Sequence, residues 1–242
     1  MRMLVFAKRN FKEILRDPLN LCFLFGFPVV LLLLLSAIQA NIPISMFEIE
    51  HLAPGIAVFG LAFMTLFSAT LISKDRQSSF TERLYTSPMT ALDFILGYTL
   101  PLIPIAIAEG VATYAVAIVL GLDVSVNIIV SILALIPIAL LYIGLGLLCG
   151  SVLNDKQVGG ICGALLTNLS AWLSGIWFDL NLVGGAFKKV AYALPFVHSV
   201  EMQRAVVGGD FSAIFSHLWW VLGYAVIIIV AAVVLFLKQM KK

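Results

Sequence analysis

Between Pro18 and Phe47 the chain has not one Asp, Glu, Lys or Arg. A helix rises 1.5 Å per residue, so about 20 apolar residues cross the roughly 30 Å of hydrocarbon in a bilayer. The uncharged run is long enough to do so, and its apolar centre lies at Leu21–Ala40. Five further stretches have the same character: Leu52–Ser73, Thr99–Leu120, Val126–Leu153, Val158–Phe178 and Leu218–Leu237. Composition agrees, with 62% hydrophobic and 12% charged residues, where a soluble domain carries about 25% charged. There is too little polar material to cover a globule in water. The expected fold is therefore all-α, a polytopic membrane protein of about six transmembrane helices. A cleavable signal peptide is excluded as the reading of the first run, which exceeds the 7–15 or so residues of a signal's apolar region.

Lys and Arg positions orient the spans, because cationic loops stay cytoplasmic. Residues 2–16 hold Arg2, Lys8, Arg9, Lys12 and Arg16. The connection between spans two and three holds Lys74, Arg76 and Arg83, the next internal one holds Lys156, and the tail holds Lys238, Lys241 and Lys242. Only Lys188, Lys189 and Arg204 fall on the other side. Both ends are thus expected in the cytoplasm of a cell (inner or plasma) membrane protein.

Within residues 1–17, Leu4, Ala7, Phe11 and Ile14/Leu15 recur at helical spacing among basic residues. The pattern predicts an amphipathic helix lying at the interface, with Arg16 on its charged side; the other reading is a cationic anchor whose periodicity is incidental. Pro18 then turns the chain into residues 18–242, the six-helix domain. Two of its connections carry most of the remaining polarity. The internal segment 74–93 contains a short stretch, with Phe80, Leu84 and Tyr85, that reads as a helix ended by Pro88 or as a solvated loop. The external segment 179–216 reads as two short helices dipping into the outer leaflet, interrupted at Pro195 and closed by a Gly208-Gly209 turn, or as a compact external cap that never enters the bilayer. Pro101, Pro104 and Pro137 inside spans predict kinks. Gly146–Gly150 and Gly159–Gly163 have the spacing that lets helices approach closely.

Catalytic patterns are absent from the sequence. There is no H-E-x-x-H and no G-x-S-x-G, and no Gly-Lys dipeptide from which a phosphate-binding loop could be built. The cysteines Cys22, Cys149 and Cys162 lie in apolar runs and form no metal spacing. His198 and Glu201 could share a helix face, but they lack a third ligand and read as interfacial polar residues. Glu109 is the acid deepest in a span, and such a group is expensive in hydrocarbon. It could line a polar route, carry a proton or hydrogen-bond a neighbouring helix.

The order of these features resembles the permease subunits of type-two ABC exporters. The resemblance rests on Leu15-Arg16-Asp17-Pro18 before a first span containing Pro28, and on Glu82-Arg83-Leu84-Tyr85-Thr86-Ser87-Pro88 between spans two and three. Asn154-Asp155-Lys156-Gln157, Leu173-Ser174-Gly175 and Leu194-Pro195 follow in the family's order. A proline common just after the Ser-Gly step is replaced around Trp177–Asp179.

The resemblance implies a dimer of six-helix subunits, homodimer or paired with a related chain, with the substrate path between them. A separate ABC-type ATPase would carry ATP and magnesium, leaving this chain with neither cofactor nor metal. Phe80, Glu82, Arg83, Leu84, Tyr85 and Pro88 would form a coupling helix against that ATPase, braced by the arm through Leu4, Phe11 and Arg16. The cargo would be a drug, peptide or lipid-like molecule, and no nucleic acid is implied. Two competing readings are an ion- or proton-coupled secondary transporter using Glu109, and a membrane assembly subunit that transports nothing.

Overall fold

A computed structural model of the chain describes residues 2–43, 45, 47–78 and 90–240. Most of its described residues are helical, and none of them is in a strand. The helices are α1 (Arg2–Leu15), α2 (Pro18–Gln39), α3 (Ile49–Gln77), α4 (Ala91–Thr99), α5 (Leu102–Val119), α6 (Val126–Val152), α7 (155–173), α8 (Leu180–Val183), α9 (Gly185–Ala193), α10 (Pro195–Val207) and α11 (Phe211–Met240).

Five of the described helices are long and apolar enough to cross a membrane: Pro18–Gln39, Ile49–Gln77, Leu92–Val119, Val126–Val152 and Phe211–Phe236. These match five of the six expected stretches. The remaining stretch, Val158–Phe178, is helical but differs from expectation. Its helix begins at Asp155, which the Asn154–Gln157 capping box fixes, and ends at Leu173. The chain then turns at Gly175 with φ +72, a left-handed conformation that glycine adopts without steric cost. Between its ends, Gly159–Leu166 is wound as a π-helix. Local composition did not reveal that turn, because the residues from 174 to 178 are as apolar as a helix end.

Proline effects follow position. Pro18 stands at the first turn of α2, where its missing N–H is no loss, and Asp17 caps that turn by accepting from the Asn20 backbone. Pro101 separates α4 from α5, as a kink predicts, whereas Pro137 lies inside an unbroken α6. Pro28 follows a second π-helical turn, Cys22–Gly26. Leu194 is extended and Pro195 opens α10, so segment 179–216 does break where expected.

α3 is the centre of the bundle, buried at almost every position from Leu52 to Leu71. α6 crosses it closely: a Cβ on Gly146 would lie 2.4 Å from the Thr65 carbonyl, and one on Gly150 would lie 2.7 Å from the Ala69 carbonyl. Gly146–Gly150 therefore acts as a packing seam within the chain. Of the other pair, Gly163 meets Leu66 while Gly159 faces open space. α11 packs on the far side of α6, and α10 lies against α3, α6 and α11.

α1 lies against α4. Its buried row is Phe6, Ala7, Asn10 and Ile14, a stripe displaced from the one read from the sequence. Leu4 and Leu15 remain exposed, and Phe11 is partly buried against the core.

Candidate functional site

Three polar centres are embedded in the apolar bundle. The first joins α1 to the ends of α3 and α4. Arg9 pairs with Asp75 at 2.7 Å, and the Tyr98 hydroxyl donates to the same carboxylate oxygen at 2.9 Å. Asp75 is 3% exposed at its side chain, so its charge is held by these partners and not by bulk water. Asn10 donates to the Gly97 carbonyl at 2.9 Å. Close approach is needed here: a Cβ on Gly97 would fall 2.2 Å from the Phe6 ring, which also meets Tyr98 edge-on at 4.9 Å. Burial opposes the Arg9 cation, but the hydrogen bond and charge of Asp75, with the charge of Glu13, outweigh it and raise the guanidinium pKa.

Two further ties secure the same end of the bundle. Arg76 donates to the carbonyls of Gly150 and Leu153 at 2.8 and 3.3 Å, closing the C-terminus of α6. Ser73 donates to Asp155 at 3.2 Å, linking α3 to α7. After residue 89 the chain re-enters helix through a capping box of Thr90 and Asp93. The expected coupling residues Phe80, Glu82, Arg83, Leu84, Tyr85 and Pro88 lie outside the described residues, but both flanks of their segment are anchored.

The second centre is intramembrane. Glu109 is 0% exposed, and Thr113 donates to its Oε1 at 2.9 Å. Its Oε2 has no hydrogen-bond partner among the described residues. Gly60 makes room for it, since a Cβ there would lie 2.1 Å from Oε1 and 3.2 Å from Pro28. Glu109 thus wedges between α2, α3 and its own helix. Nearby, Tyr114 meets Ser131 at 2.6 Å and Gln203 at 3.3 Å, Ser131 bonds Gln203, and Gln203 donates back to the Ser131 carbonyl at 3.2 Å. This closed set ties α5, α6 and α10, and such groups satisfy one another because lipid offers no partners.

The third centre is a cavity of about 670 Å³ at the opposite end from α1, lined among others by His51, Trp177, Asp179, Tyr192, Glu201 and Arg204. Arg204 forms its wall, donating to the carbonyls of His51 and Gly175 at 3.3 and 3.1 Å and pairing with Glu201 at 2.9 Å. From Trp177 a chain of rings runs inward: Trp177–Phe59 at 5.5 Å, Phe59–Phe63 at 5.7 Å and Phe63–Phe27 at 5.8 Å. His198 does not pair with Glu201. Its Nδ1 meets Nδ1 of His217 at 2.9 Å, its Nε2 meets the Tyr192 carbonyl at 3.0 Å, and its ring stacks on Trp220 at 4.8 Å.

Of the residues singled out from sequence, Glu109 and Phe11 are built into the packing, while Leu4 and Arg16 are exposed. Asn10, Asp75, Tyr98 and Gln203 were missed. Asn10 had a readable signal: it is the polar member of the row Phe6, Asn10, Ile14, whose i, i+4, i+8 spacing places all three on one face.

The sequence model of the ABC-2 type transporter family matches residues 1–207, from α1 to the end of α10. Among known relatives are two capsule polysaccharide export inner-membrane proteins CtrC of Neisseria meningitidis, from serogroup A and serogroup B strains. They are 28% and 29% identical over 146 residues, which is 60% of this chain and 55% of each relative. The aligned part therefore spans about half the length of the curated relatives it matches.

Proposed function

Because the chain belongs to the ABC-2 type transporter family, as the membrane-embedded component of such a transporter, we propose that it forms the substrate pathway of an ATP-driven exporter in the inner or plasma membrane. The observation that carries this reading is the family match through residue 207, which includes the arm, the segment 79–89 and the external helices in one frame. Two copies, or one copy and a related chain, pair across the exposed apolar sides of α2 and α11, where Leu33, Leu34, Ile227 and Val230 project. A separate ATPase, which holds ATP and magnesium, docks on segment 74–93. Both termini face the cytoplasm, as the distribution of Lys and Arg favours.

Coupling in this reading runs from the ATPase through residues 79–89 into α3 and α4. Asp75 and Tyr98 gather both helices and the arm onto one carboxylate. A nucleotide-dependent shift is transmitted only if the two helix arrangements differ in free energy of contact with the ATPase. A rigid junction delivers that difference to the bundle with little loss.

For the cargo we propose a saccharide polymer in place of the drug, peptide or lipid-like molecule that the sequence left open. The relatives, which are capsule polysaccharide export proteins, motivate it. The external cavity supports it, because rings such as Trp177 and Tyr192 beside Asp179, Glu201 and Arg204 suit a ligand with apolar faces and many hydroxyls. Family membership disfavours the secondary-transporter reading, and the enclosed position of Glu109 agrees with a packing role.

The test is co-expression with candidate ATPase subunits from the same genome and purification of the complex. A stable complex whose ATP hydrolysis drives export from inverted vesicles is the expected result. Vesicles that export on an ion gradient alone, without any ATPase, would overturn the reading.

A further inference from the structure

A second cavity, of about 280 Å³, lies in the elbow where α1 ends and α2 begins, against the side of α3. Its floor is apolar, formed by Ile14, Phe67 and Leu71, and its rim carries Glu13, Arg16, Asp17 and Lys74. The four rim charges are not equivalent. Glu13 is already paired with Arg9 at 2.7 Å, and Asp17 accepts from the Asn20 backbone at 3.2 Å and from its side chain at 2.8 Å. The cations are far less engaged. The Arg16 side chain is exposed and makes no hydrogen bond or ion pair among the described residues, its backbone N–H alone donating to the Glu13 carbonyl at 3.2 Å. Lys74 stands 4.0 Å from Asp17, the outer limit of an ion pair, with 49% of its side chain exposed.

We infer that this elbow binds the phosphate of an anionic phospholipid from the cytoplasmic leaflet. The inference rests on the orientation in the proposed function, which puts α1 at that leaflet. Arg16 and Lys74 hold the phosphodiester from either side, and the glycerol end rests on Ile14, Phe67 and Leu71. The arrangement suits a lipid better than a soluble anion because the charged rim and apolar floor are layered as the headgroup and acyl regions of a leaflet are. Basic residues beside a span are attracted to the negative surface potential of that leaflet, and basic pockets between spans hold anionic headgroups. A bound lipid would also pin the arm against α2 and α3, next to the Arg9–Asp75 junction.

The experiment uses the full chain in mild detergent, with retained lipid counted by native mass spectrometry during titration with phosphatidylglycerol or phosphatidylcholine. The wild-type chain is expected to retain one phosphatidylglycerol in preference to phosphatidylcholine. In Arg16→Gln/Lys74→Gln that affinity falls about thirty-fold, the ~2 kcal/mol expected of two basic side chains at a membrane surface. Arg16→Lys/Lys74→Arg keeps the affinity, and so does Lys188→Gln/Lys189→Gln on the external loop. Should the double glutamine variant not fold, Arg16→Gln alone, at an exposed position, carries the test with a loss of about five-fold.

Equal binding by wild type and the glutamine variants overturns the inference. So does equal retention of phosphatidylcholine. Displacement of phosphatidylglycerol by inorganic phosphate at matched concentration would mean a free-anion site and no lipid. No ATPase takes part in this assay, so its failure leaves the exporter reading standing. A wrong orientation would show separately, in cysteine labelling from the two sides of the membrane.

Discussion

Gly60 and Glu109 offer the sharpest test of how the bundle is packed. A methyl group at position 60 would lie 2.1 Å from Oε1 and 2.6 Å from Cδ of Glu109, with Pro28 at 3.2 Å on its other flank. Ordinary carbon contacts need about 3.5–4.0 Å, so the carboxyl must move by more than an ångström. It has nowhere simple to go, being wholly buried and held by Thr113. Overpacking of this kind costs about 1–3 kcal/mol, and Gly60→Ala should fall near 2. Glu109→Ala removes the clashing atoms together with a buried oxygen that has no partner among the described residues. It leaves a cavity in exchange, and its net cost should be about 1 kcal/mol. The two substitutions touch the same volume, so Gly60→Ala/Glu109→Ala should be more stable than the sum of the singles by about 1–2 kcal/mol. Unfolding in mixed SDS and dodecyl maltoside micelles, followed by circular dichroism, measures all four corners of the cycle. If Gly60→Ala is neutral, or the cycle closes additively, the helices do not meet as described.

Other outcomes follow from the same structure. Charge reversal at Glu82 or Arg83 should leave the protein inserted and bound to detergent as a single species while separating ATP hydrolysis from export in the reconstituted complex. Normal export by both reversals removes the coupling role. Glu109→Gln should retain ATP-driven export to within a few-fold, since the same shape is kept; a complete loss would restore a proton-carrying role. A cysteine introduced near Lys188 should react with a membrane-impermeant maleimide on intact cells, and one near Arg83 should react only after the cells are opened. Gln203→Leu should cost roughly 1–3 kcal/mol in the same unfolding assay, because Tyr114 and Ser131 lose a buried partner. Stability equal to wild type would mean that the three groups do not form one set.

Membrane insertion itself was legible in the residues, because it depends on local sums. Twenty apolar neighbours lower their free energy in lipid whatever lies beside them, so five spans stand where hydropathy puts them. Breaks at Pro101 and Pro195 were equally local, since a missing N–H acts within its own turn. The small-residue seam of Gly146 and Gly150 was visible as spacing, although only the fold showed that α3 is what it grips.

The partners of polar groups were not legible, for a reason particular to this class of protein. A soluble helix reveals its inner face because its outer face is polar, whereas a helix in lipid is apolar all round and its periodicity says little. Asp75 with Arg9 and Tyr98, His198 with His217, and Tyr114 with Ser131 and Gln203 each join residues from different helices. Those pairings exist only once the helices have chosen neighbours and rotations. The amino-acid order alone decided that this chain enters the membrane, and where five of its long apolar helices lie. Tertiary packing decided which buried polar atoms meet, because in hydrocarbon a polar group is stabilised only by the partner that folding brings to it.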